Sequence, residues 1–150
     1  MTLTKRRAWS AAVLWAVAGT VFSLSFFSAG GPTQYAAEPI RVLAGAIVLV
    51  IAGMLQVWIM RGLLRGADSR DMTDERDMAV IARAGQITLM IVLLAVLGSS
   101  VALWIGYGPA GQVPVGWMWY LGYGTVILAF LTYALATVFV DAGMGGDAGE

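Results

Sequence analysis

The sequence predicts an all-α integral membrane protein, a single membrane domain over residues 1–150 folded as a four-span antiparallel bundle. Three observations carry that expectation. Of 150 residues, 59% are hydrophobic and 12% charged, where a soluble domain carries about 25% charged. Mean hydropathy is +0.80. Four apolar stretches each approach the roughly 20 residues that cross about 30 Å of hydrocarbon as a helix.

The first stretch covers about residues 8–28, behind Lys5, Arg6 and Arg7. Basic residues before an apolar run also fit a cleaved signal peptide, with Ser28-Ala29-Gly30 as the site. The run is longer than the 7–15 residues of an ordinary signal core, so a retained helix is the expectation. The second span covers about 42–60. The third and fourth cover about 84–107 and 117–140. No charged residue lies between Ala84 and Val140. That length suits two helices and a hairpin, with Gly106, Gly108, Pro109, Gly111 and Pro114 marking the turn. Short loops make successive spans antiparallel neighbours.

Lys and Arg set the orientation. Arg61, Arg65, Arg70, Arg76 and Arg83 lie between spans two and three, on the side of Lys5, Arg6 and Arg7; only Arg41 lies opposite. Both termini and the 61–83 loop are therefore expected in the cytoplasm of a bacterial or archaeal plasma membrane, with 106–116 outside. Trp104, Tyr107, Trp117, Trp119, Tyr120 and Tyr123 gather at the outer ends of spans three and four, and Trp9 and Trp58 at inner ends. That is the pattern of an interfacial aromatic belt.

The missing residue types exclude much chemistry. There is no Cys and no His, and no Asn. Thiolate nucleophiles, cysteine-held clusters and histidine ligands to haem or zinc are ruled out. So is the commonest general base. No acid or base lies near a bilayer midplane, where proton relays need one. Small four-helix exporters depend on a first-span Glu, and this first span offers only Thr20, Ser23, Ser25 and Ser28. Nine basic residues balance nine acidic ones, so direct nucleic-acid binding is not expected. No catalytic residue, metal site or cofactor is expected. A quinone or pigment held by aromatic rings alone is the one cofactor left open.

One segment has the character of a motif. Residues 61–77 hold five of the nine acids and four of the nine bases. Thr73 suits an N-cap, with Asp74 and Glu75 favourable in the first helical turn. The expected helix runs from Thr73 to Tyr107, about 50 Å, and projects into the cytoplasm. Arg76, Val80, Arg83 and Ile87 share one face of it. Asp74-Glu75-Arg76, Val80, Arg83-Ala84-Gly85 and Thr88 resemble a motif of uncharacterised small polytopic bacterial and archaeal membrane proteins, in which Asp-Glu-Arg and a Lys-Ala pair enter a membrane helix. Here Arg83 replaces the Lys. The resemblance covers about 15 residues, implies no activity, and points weakly to a protein partner. Asp74, Glu75, Arg76 and Arg83 are the expected partner-binding residues. Asp71, Asp74, Glu75 and Asp77 could bind a divalent cation through oxygen, but they fit no calcium loop and the arginines compete.

Gln56 and Gln86 are the strongest polar groups in the apolar runs. In an adjacent pair of spans two and three they would bond each other, or Gln56 would meet Arg83. Small residues such as Ala44-Gly45-Ala46, Gly19, Ala95 and Gly98-Ser99-Ser100 allow close helix packing, within one bundle or, as the alternative, on the face of a homo-oligomer. The expected function is that of a non-enzymatic accessory or regulatory subunit that binds a protein partner through residues 61–83. A small oligomeric channel or transporter is the alternative.

Overall fold

The computed structural model describes residues 3–64 and 75–146. Helix α1 is Leu3–Ser28, α2 Pro32–Tyr35, α3 Pro39–Leu64, α4 Glu75–Tyr107 and α5 Gly116–Gly146. A 3-10 turn, Gly108–Ala110, follows α4, and no strand occurs among the described residues. Four helices are long and apolar enough to cross a membrane: Lys5–Ser28, Pro39–Ile59, Glu75–Ala110 and Gly116–Gly143. These coincide with the four expected spans. Each helix extends past its apolar stretch, because backbone hydrogen bonding propagates wherever nothing breaks it.

The breaks are readable. Helix α1 ends in a Schellman motif: Gly31 N–H bonds Phe26 O and Gly30 N–H bonds Phe27 O, both at 3.2 Å. Gly30 has φ 90° and Gly31 φ 72°, a region that a side chain would strain. Pro32 then opens α2, where its missing N–H costs nothing. This four-residue helix was not foreseen; Gly-Gly-Pro was its only signal. At the far turn Gly111 takes φ 67°.

The packing departs from a simple chain of neighbours. Helix α1 packs along α5, α3 along α1, and α4 along α5. Helices α3 and α4, consecutive in sequence, do not form a packed pair. Their connection is the longest polar stretch in the chain, so no short loop holds them together. The α1–α5 seam is aromatic. Trp15 stacks on Phe130 with ring centroids 4.5 Å apart, and Phe26 meets Tyr120 at 4.6 Å. Phe22 touches Tyr120, Tyr123 and Tyr35. Ala11 and Ala12 reach Ala134 toward the other end. Tyr120, Tyr123 and Trp117 therefore pack inside this cluster, whereas Trp104 is 73% exposed.

The α4–α5 seam is of another kind. Val80 and Ala84 are fully buried. Beyond them the half-buried residues of α4 include Thr88, Ala95 and Ser99, small enough for close approach. The expected face Arg76, Val80, Arg83, Ile87 is thus corrected by about one position. Ala84 is buried, Arg83 exposed, and Ile87 37% exposed.

Candidate partner-binding site

Asp74 lies outside the described residues, as do Thr73 and Asp71. Glu75 and Asp77 occupy the first turn of α4, where carboxylates suit the positive end of the helix dipole. Arg76 reaches across to α5. Its Nη2 lies 3.4 Å from Asp141 Oδ1 and 3.2 Å from Asp141 O. The Asp141 side chain is 7% exposed and that of Arg76 45%. A carboxylate so enclosed needs a cation or donors, and Arg76 supplies both. This clasp joins residues 65 positions apart. The signal for it was a lone acid closing an apolar helix.

The clasp divides the motif. Arg76, Val80 and Ala84 seat the start of α4 on α5. Arg83, Met78 and Ile81 face away, Met78 at 57% and Ile81 at 42% exposed. Arg83 has no side-chain partner among the described residues. Arg76 and Arg83 therefore do not share one surface: Arg76 is turned toward α5 and Arg83 outward. No group of three or more metal-ligating residues occurs among the described residues.

The glutamines separate as well. Gln56 Oε1 accepts a hydrogen bond from the Trp15 indole N–H. The expected Gln56–Gln86 and Gln56–Arg83 contacts do not form, because α3 rests on α1 while Gln86 belongs to α4. Gln86 is exposed and makes no hydrogen bond among the described residues.

The opposite end carries a tyrosine lock. Tyr35 donates to Arg41 O at 2.9 Å and Tyr123 to Val42 O at 3.1 Å. Both side chains lie against Gly45, where a Cβ would come within 2.6 Å of the Tyr35 hydroxyl. Burial lifts the Tyr35 phenol above its ordinary range, and the neighbouring Tyr123 adds to the rise. Arg41 pairs with Glu38 at 2.7 Å and donates to Ala29 O, so the charges here hold the turn together.

Two cavities stand out. One of about 550 Å³ lies between α1 and α5, against Gly19, Gly124 and Leu128, with Thr20 and Ser23 among its few polar groups. Thr20 already donates to Ala16 O. The other, about 630 Å³, lies between α2 and the turn before α5, beside Tyr107, Gln112 and Trp119. Neither lining includes a carboxylate, an amine or a guanidinium. The chain matches no protein-family model, no curated protein and no solved structure.

Proposed function

We propose that this chain is a non-enzymatic accessory subunit of a bacterial or archaeal plasma membrane, which holds a protein partner at residues 61–83. In this reading the four apolar helices cross the bilayer as an antiparallel bundle. Both termini and the 61–83 segment lie in the cytoplasm, as the eight-to-one distribution of Lys and Arg requires. The observation that carries the reading is the seating of α4. Arg76 on Asp141, with Val80 and Ala84 buried, fixes the first turns as a mount. Arg83 and Met78 project from that mount. A rigid base with an outward cation and an outward apolar group lowers the ordering cost of docking a protein.

Native mass spectrometry of the tagged protein, gently extracted from its host membrane, tests this. The expected result is a second polypeptide at fixed stoichiometry, lost on Arg83→Glu while the fold is retained. Particles containing only copies of this chain would overturn the accessory reading. Liposome flux would then ask whether those copies conduct a solute.

A further inference from the structure

Helix α4 presents its most regular face to the outside. Gln86, Met90, Leu93, Leu97, Ser100 and Trp104 follow one another at alternating steps of four and three residues. That is the heptad spacing by which two helices wind together. All six are exposed: Met90 at 60%, Leu93 at 50%, Leu97 at 62% and Trp104 at 73%, with Gln86 and Ser100 in the same class. At 100° per residue the stripe lies opposite the α5 seam of Ala84, Thr88, Ala95 and Ser99. The two faces are used differently: α5 covers one, and no described residue covers the other.

The decisive residue is Gln86. A carboxamide carries two donors and an acceptor, and this one, on an apolar helix, has no hydrogen-bond partner among the described residues. Ser100, by contrast, is satisfied by Val96 O at 2.8 Å. We infer that α4 pairs with α4 of a second copy of this chain, in parallel, with the two Gln86 amides bonded across the two-fold axis. An identical stripe places an amide against an amide at that level, and a carboxamide is its own complement. Copies inserted in the same direction bring equal positions face to face. The layers then read Gln–Gln, Met–Met, Leu–Leu, Leu–Leu, Ser–Ser and Trp–Trp.

The stripe extends 18 residues from Gln86 to Trp104, about 27 Å, close to the hydrocarbon thickness. No charge lies within it to repel its copy. Arg83, three residues earlier, stands at the water boundary, where its long stem carries the guanidinium clear of the contact. The inference rests on the membrane placement of α4 proposed above and is independent of any partner at residues 61–83.

The chain contains no Cys, so a single introduced Cys cannot form a bridge within one chain. M90C, L93C and L97C would be oxidised in native membranes beside I87C and I105C, which lie off the stripe. Disulfide dimers at the three stripe positions, with little at the two controls, are expected. Adding Gln86→Leu should weaken the L97C dimer by about 3- to 30-fold, the worth of one interhelical amide bond. Gln86→Asn should retain most of it. Equal bridging at all five positions, bridging only to other proteins, or none at all would overturn the pairing. Alkaline carbonate extraction of the same membranes separates the two levels of failure. A chain released by carbonate overturns the membrane placement, while one that stays without bridging overturns the dimer alone.

Discussion

Helices α1 and α4 are both apolar along most of their length, but only α1 is used as a core. In the most apolar window of α1, 33% of residues are buried; in that of α4, none are. Helix α1 turns Trp15, Phe22 and Phe26 into the molecule and leaves Val13, Val17 and Leu24 outside. Helix α4 turns in Ala84, Thr88 and Ser99 and leaves Leu89, Leu94 and Leu97 outside. Where lipid is the solvent, large apolar groups gain little from facing inward, and contact is set by shape. The aromatic rings interlock; the small side chains let backbones approach. One molecule uses both solutions.

Truncation at the two seams should break that comparison most sharply. Phe26 is fully buried among five other rings, and Phe26→Ala should cost about 3–5 kcal/mol. Leu94→Ala, on the outer face of α4 but off the paired stripe, should cost under about 0.5 kcal/mol. Thermal unfolding in mild detergent reads both. Equal losses would mean that α4 is buried to the same degree as α1.

Glycine substitutions come next. A Cβ at Gly116 would stand 2.0 Å from Pro32 O, a backbone atom that cannot swing aside. Gly116→Ala should cost about 3 kcal/mol as α2 is pushed off α5. Gly98, on α4, has nothing within 4 Å of its Cβ position. Gly98→Ala should be neutral or stabilise by up to about 1 kcal/mol through helix propensity.

The clasp sharpens the comparison from the side of α4. Arg76→Ala leaves Asp141 enclosed without its arginine and should cost about 1–2 kcal/mol, less than a fully buried pair because Arg76 is half exposed. Hydrogen exchange should show the loss confined to the first turns of α4. Gln56→Leu, which strips the Trp15 indole of its acceptor, should cost about 1 kcal/mol, and the loss should fall on the α1–α3 contact instead.

The smallest effect is alkaline. The Tyr35 phenol is neutral at pH 7 in both the folded and unfolded chain, so it adds no pH dependence there. Its folded pKa is raised, so the stability it contributes is complete below about pH 10 and is lost as the pH rises through the folded value. An alkaline titration of Tm should fall less steeply in Tyr35→Phe.

The four long helices were legible because their apolar runs exceed any core helix of a small soluble domain. The side each helix turns inward was not. An all-apolar helix has no polar face to mark the outside, so periodicity placed Arg83 and Ile87 on the face that Ala84 occupies. The separation of α3 from α4 was hidden too, since loop length speaks only for neighbours joined by short loops. The Arg76–Asp141 clasp spans 65 positions, beyond the reach of any local pattern. The charge-rich character of residues 61–77 was plain, but not that Arg76 turns to Asp141 while Arg83 faces outward.

Helix α5 touches α1, α2, α3 and α4, and it leaves the ribosome after all of them. Until it emerges, α1 has α2 and α3 to pack on, and α4 lacks its main neighbour. At 5–20 residues per second that interval lasts seconds. The packing around α5 therefore forms late, and until then Asp141 is not yet made to receive Arg76.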